Sequence, residues 1–365
     1  MASQDRFRLR RLWFQVHKWI GLALALLIVP VSLTGSALVW HDWLDERLNP
    51  ERAAAAEPSL PPSAYAAAAR RFARPGERLS SLSFPEERGP VVATLARIGQ
   101  PAGGRPVRTL LYLDPVSARL LDRGASDEGA VRILHVLHGS LMVPGAGRQI
   151  VGWIGVAMLL SSLTGLWLWW PLSGRLTRGL KWRRRATTSA NLHHQAGFWI
   201  ALPLAILSFT GAWISFPAFF AALSGDPAGP SMAERMRRNS ALPAAETRLS
   251  PDLALAAARP LANGGLTVMT WPNGPESKWK ISFARPGGAA EVAVDDRSAA
   301  ATPPKPPKPE TTARLMRRIH DGTGMGPLWQ TIIFIGGLVP ALLAVTGILM
   351  WLHLRRGRSR ARPES

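Results

Sequence analysis

Residues 17–35 read HKWIGLALALLIVPVSLTG, and residues 193–211 read HHQAGFWIALPLAILSFTG. Each segment opens on a histidine, runs through apolar residues and closes on Thr-Gly. His17 precedes Thr34 by 17 residues, and His193 precedes Thr210 by 17. A second spacing is doubled in the same way: His138 precedes Thr164 by 26 residues, and His320 precedes Thr346 by 26. The first set recurs at an offset of 176 and the second at 182. Two separate spacings repeated at nearly one period read as an internal duplication. Ionisable side chains at the margins of apolar runs are expensive, so their default reading is functional.

The runs around these motifs set the fold class. Segments 19–41, 150–171, 196–220 and 328–354 contain no Asp, Glu, Lys or Arg. At about 1.5 Å per residue each is long enough for a hydrocarbon core about 30 Å thick. The expectation is a membrane α-helical protein: a four-helix transmembrane bundle built by duplication. The first run exceeds the apolar stretch of a secretory signal and is followed by His41-Asp-Trp-Leu-Asp-Glu-Arg47, so it reads as an uncleaved anchor.

The net charge of +20 suggests nucleic acid until its location is considered. Fourteen of those charges fall in segments 1–18, 172–192 and 355–365, all on one side of a four-span protein. That is the positive-inside pattern of an inner (cytoplasmic) membrane protein. It places the basic N-terminus (1–18), a basic loop (172–195) and the tail (355–365) in the cytoplasm, with anionic lipid rather than nucleic acid as the partner. The absence of cysteine excludes disulfides, thiolate metal sites and covalent haem attachment.

Two long segments then lie outside, 42–149 and 221–327. Each starts with an Ala-rich helical stretch (Ser63–Arg74, Pro251–Arg259) and continues as strands and turns, which predicts two small α+β domains. Residues 108–117 and 291–298 read as equivalent strand-and-turn units, each turning on an Asp. Residues 301–309 (ATPPKPPKP) read as a polyproline linker. Short amphipathic stretches ending in His138 and His320 are expected at the membrane boundary ahead of the second and fourth spans.

Topology divides the histidines into two sets. His17, His193, His194 and His353 lie near the cytoplasmic face; His41, His135, His138 and His320 lie near the other. Across a pseudo-twofold axis, equivalent histidines face each other, which suits bis-His ligation of haem iron in two layers about 25 Å apart. The plainer reading of any one of them is a polar tip at head-group level. The doubling favours ligation for His17, His193, His138 and His320. His41, His353, His194 and His135 lack repeat partners and stay open as alternative ligands. The Thr-Gly pairs read as close-packing devices, or as space for a porphyrin face.

Several motifs taken together resemble the PepSY-associated transmembrane family, which includes iron-regulated membrane proteins. They are His17-Lys-Trp-Ile-Gly21 with Leu33-Thr-Gly35, Leu192-His193 through Gly197 with Phe209-Thr-Gly211, His138-Gly139 with Leu163-Thr-Gly-Leu-Trp-Leu-Trp-Trp170, and Ile319-His-Asp-Gly322 with Val345-Thr-Gly-Ile-Leu-Met-Trp351. Tyr112-Leu-Asp-Pro-Val-Ser117 is similar to the PepSY strand and turn, and the second copy departs from it with Asp295-Asp296 in place of Asp-Pro. The resemblance implies two b-type haems per chain. It also implies electron passage from a cytoplasmic donor to a ferric siderophore in the periplasm. No dinucleotide or phosphate-loop motif occurs in the chain, so the donor is expected to be a separate molecule. Two other readings remain: a membrane-anchored PepSY regulatory or binding protein without redox activity, and a metal transporter using the same histidines.

Overall fold

The computed structural model describes residues 2–97, 106–170, 180, 182, 185–225, 234, 242–273, 277–286, 288–306 and 310–360, with side chains throughout except at 2–6 and 357–360. The chain divides into two compact units. One comprises residues 1–41, 133–228 and 310–365, and the other residues 42–132 and 229–309.

The first unit is helical. Four of its helices are long and apolar enough to cross a membrane: α1 (Ala2–Leu38), α5 (Gly147–Trp169), α6 (Thr188–Ser215) and α10 (Gly326–Arg360). This is a membrane protein. Helix α1 packs on α5 and α10, and α6 packs on the same two, closing a four-helix ring. Helix–helix approach without a hydrophobic drive needs small residues. Gly155 of α5 faces Ser208 and Ala212 of α6, and Gly337 of α10 faces Ser32 and Ser36 of α1. The Ser36 hydroxyl also donates to the Phe334 carbonyl at 2.7 Å.

The helix limits differ from the sequence expectation where local chemistry dictates. Helix α1 extends back through the basic N-terminus, and α10 runs on into the basic tail, since Arg and Lys are good helix formers. Helix α6 starts at Thr188, whose preceding Thr187 caps it by accepting the Ala190 N–H. His193 is therefore helical and not part of the loop. The same helix stops at Ser215. Pro217 disfavours helical geometry at Phe216, and a separate helix α7 (Pro217–Ser224) begins there. Two amphipathic helices, α4 (Ala130–Ser140) and α9 (Thr312–Asp321), precede α5 and α10. Thr311 caps α9, and Gly322 ends it in the left-handed conformation at φ 78°.

The second unit holds one eight-stranded sheet to which both outer segments contribute. Strands β1 (Glu77–Ser83), β2 (Val91–Arg97), β3 (Arg108–Leu113) and β4 (Leu120–Ala125) come from the first outer segment. Strands β5 (Leu266–Thr270), β6 (Lys278–Arg285), β7 (Gly288–Asp295) and β8 (Ala301–Thr302) come from the second. The order β4-β3-β2-β1-β5-β6-β7-β8 is antiparallel throughout and is joined at β1–β5, where Leu82 pairs with Met269. Alternation along β3 and β6 buries one face, as period-2 patterning requires. Leu82, Leu95, Leu111, Trp279, Ile281 and Phe283 form its core with Tyr65 of α3 (Pro62–Phe72) and Ala254 of α8 (Pro251–Ala258). Pairing the halves removes two exposed strand edges that separate domains would leave open.

The two halves reuse the same turn. Asp114 Oδ1 accepts the N–H groups of Val116 and Ser117, and Asp295 Oδ1 accepts those of Arg297 and Ser298. Asp296, which stands where Asp-Pro is typical, accepts from Trp279 Nε1 at 2.8 Å and from the N–H groups of Arg248 and Leu249. It thus satisfies a buried indole and fixes the approach to α8. The Pro-rich stretch begins with β8 rather than as free linker, because Ala301 and Thr302 pair with β7 ahead of the prolines. Residues 307–309 of that stretch, and most of the loop 172–184, lie outside the described residues.

Candidate functional site

The helical unit places four imidazoles in two close pairs. His17 of α1 faces His193 of α6 with ring centroids 6.3 Å apart. His138 of α4 faces His320 of α9 with centroids 6.0 Å apart. All four rings are partly buried.

Each ring sits on the Thr-Gly pair of a different helix. A β-carbon at Gly165 would come within 3.1 Å of His17, and one at Gly347 within 3.5 Å of His193. At the other level, a β-carbon at Gly35 would meet His138 at 2.6 Å and one at Gly211 would meet His320 at 3.0 Å. The absent side chain makes room for an imidazole, which gives the packing reading of the Thr-Gly pairs a local form. A helix cannot seat its own histidine. Seventeen residues span about 25 Å, which puts the two motifs of one helix at opposite ends.

The threonines fix which nitrogen carries the proton. Thr164, Thr210 and Thr346 each donate their hydroxyl back to their own helix, at Leu160, Ile206 and Leu342. With that hydrogen committed, the oxygen can only accept. His17 Nδ1 lies 3.2 Å from Thr164 Oγ1, His193 Nδ1 lies 2.9 Å from Thr346 Oγ1, and His320 Nδ1 lies 3.1 Å from Thr210 Oγ1. Carbonyls reinforce the pattern: Ser161 for His17 at 3.1 Å, Leu207 for His320 at 3.1 Å, and Val31 for His138 at 2.8 Å. Each Nδ1 is therefore the donor, and each Nε2 keeps its lone pair. Ligating histidines show this arrangement, with the remote N–H held by an acceptor that orients the ring.

Around His17 and His193 lies a cavity of about 750 Å3, within the usual range of about 300–1,000 Å3 for cofactor pockets. Phe14, Leu22, Met158, Trp169, Phe198 and Trp351 supply apolar walls, while Arg10, Lys18 and Arg185 bring positive charge to its lining. Arg10 also donates to the carbonyls of Leu168 and Trp170.

A family model described as the PepSY-associated TM region matches residues 14–353. The chain belongs to that family. No curated protein matches it. Within this PepSY-associated protein, the structure brings together His17 with His193 and His138 with His320. His194 and His353 also line the cavity; His194 stands 6.5 Å from Trp169, and His353 is exposed on α10. His41 and His135, open alternatives in the sequence, pair with each other at 6.0 Å. Sequence reasoning missed Ser161, Val31 and Leu207 as acceptors for the rings. Nothing in a one-dimensional pattern marks a backbone carbonyl, although each of the three lies three residues before the Thr of a Thr-Gly pair.

Proposed function

We propose that this protein is a haem-containing inner-membrane oxidoreductase that carries electrons from a cytoplasmic donor to a ferric siderophore in the periplasm. One observation carries the reading: two close imidazole pairs in which every Nδ1 has an acceptor elsewhere, so that each ring keeps an Nε2 lone pair. An iron atom held by one nitrogen of each ring would need centroids about 6 Å apart. The observed 6.3 and 6.0 Å fit that arrangement.

Two haem b groups, when bound, would supply one-electron chemistry at iron held between two imidazoles. His17 and His193 would hold one, with Arg10, Lys18 and Arg185 offering charge for its carboxylates. His138 and His320 would hold the other. The chain's own part is orientation: threonine and carbonyl acceptors lock each ring, and seating glycines set its depth. The levels are about 25 Å apart along α1, which suits passage across the bilayer. A ferric siderophore fits as acceptor because Fe(III) binds hard oxygen ligands far more tightly than Fe(II) does, so reduction loosens the chelate. The basic end would be cytoplasmic by charge.

The test is the visible spectrum of detergent-purified protein, oxidised and dithionite-reduced, with haem quantified per chain. A Soret band with sharp α and β bands at about two haems per chain supports the reading. A protein that stays colourless after expression with haem precursor removes it and leaves a membrane-anchored regulatory role.

A further inference from the structure

A third histidine pair lies outside the two seated ones. His41, at the junction of α1 and α2 (His41–Leu48), faces His135 of α4 with ring centroids 6.0 Å apart and planes at 80°. Unlike the four seated rings, both residues are exposed. Among the described residues no glycine seats them, and their repeat positions are Pro217 and Arg317, so the duplication does not account for them. His41 Nδ1 lies 3.0 Å from the Leu38 carbonyl, which makes Nδ1 the donor and Nε2 the lone-pair nitrogen.

We propose that His41 and His135 form a solvent-accessible site for a labile divalent first-row transition-metal ion, with water completing its coordination. An ion about 2.0–2.1 Å from each nitrogen is reached at centroid separations from about 5 Å, for a tetrahedral angle, to about 6.3 Å, for a linear one. The pair falls inside that span, and exposed side chains can adjust within it. Imidazole selects borderline ions such as Fe(II), Zn(II), Ni(II) and Cu(II) over hard Fe(III), which prefers oxygen donors. His135 stands three residues, about 5 Å of helix rise, before His138. If the reductase reading of the seated pairs holds, the ion received here is the Fe(II) leaving its chelate beside the second pair. Metal binding itself does not depend on that reading.

The experiment titrates full-length detergent-purified protein with Zn(II), a redox-inert probe, by calorimetry, alongside His41→Gln and His135→Gln. The visible spectrum and circular dichroism of each preparation are recorded. The expected result is about one ion per chain in the wild type, weakened more than about tenfold in each variant, with spectra unchanged. Absence of saturable binding in the wild type overturns the site, and so does equal affinity in both variants. Spectra altered in the same variants would also overturn it, by assigning these histidines to the seated pairs. A colourless protein that still binds Zn(II) through His41 and His135 would sink the reductase reading alone.

Discussion

Gly35 on α1 lies so close to the His138 ring of α4 that an added β-carbon would stand 2.6 Å from its Cε1. The same relation recurs at Gly165, Gly211 and Gly347 with His17, His320 and His193, at 3.1, 3.0 and 3.5 Å. Four glycines therefore set the depth of four rings, and the clearances differ enough to rank them.

Alanine at these glycines should disturb ligation in the order of those clearances. Gly35→Ala is expected to displace His138 and lose the spectral component of its pair. Gly347→Ala, an ordinary contact, should leave the His17–His193 component intact. Gly139→Ala on α4, where nothing lies within 4 Å, serves as the control. Equal spectra for Gly35→Ala and Gly139→Ala would show that the seat is not needed.

Removing either member of a pair should remove the same site. His138→Ala and His320→Ala are each expected to halve the haem content and lose one set of reduced bands. His17→Ala and His193→Ala should lose the complementary set. Redox titration of each variant is the check, and a silent variant would break the pairing.

Thr346→Val keeps shape and removes the acceptor at 2.9 Å from His193 Nδ1. A ligating imidazole whose N–H is less well held is a weaker donor. The midpoint potential of the His17–His193 site should move upward, and haem should dissociate about tenfold faster. Ala at Thr210 should act on the other site only. An unshifted potential would mean the carbonyls suffice.

The two sites should differ in electron paramagnetic resonance. The planes of His17 and His193 cross at 83°, and those of His138 and His320 are tilted by 35°. Crossed planes leave the iron d orbitals nearly degenerate and give a large-g signal, while smaller angles split them into a rhombic spectrum. His193→Ala should abolish the large-g feature. Two rhombic signals in the wild type would contradict the crossed arrangement.

Acid should loosen the sheet unit through Glu77. Burial opposes ionisation of this carboxyl, but hydrogen bonds from Thr109, the Arg74 N–H and Arg123 outweigh it and hold its pKa below the ordinary 4.5. Because the folded value is depressed, the stabilisation is present above 4.5 and is lost as pH falls through the lower folded value. Its side chain is only 1 % exposed, so Glu77→Ala removes the charged acceptor of Thr109 and of partly exposed Arg123, which keeps the Phe72 carbonyl, and should cost about 1–3 kcal/mol. Hydrogen exchange of β1, β3 and β4 between pH 7 and 4 reads both effects.

Much of this architecture was legible in the sequence because its signals are local. Apolar length and charge asymmetry marked the four spans. Turn residues such as Asp114 and Asp295 declared themselves within a few positions. The doubled spacing singled out His17, His193, His138 and His320 from eight histidines.

The tertiary structure decided the rest, because it depends on which elements meet. No spacing along the chain says that Gly35 seats His138, since the two residues lie on different helices 103 positions apart. The union of β1 with β5 into one sheet was equally hidden. Strand pairing is settled by edges seeking hydrogen bonds across the 187 positions from Leu82 to Met269, and alternation within a strand carries no information about its neighbour. The sequence by itself determined which residues are polar enough to need a partner. Only the fold determined which partner each one found.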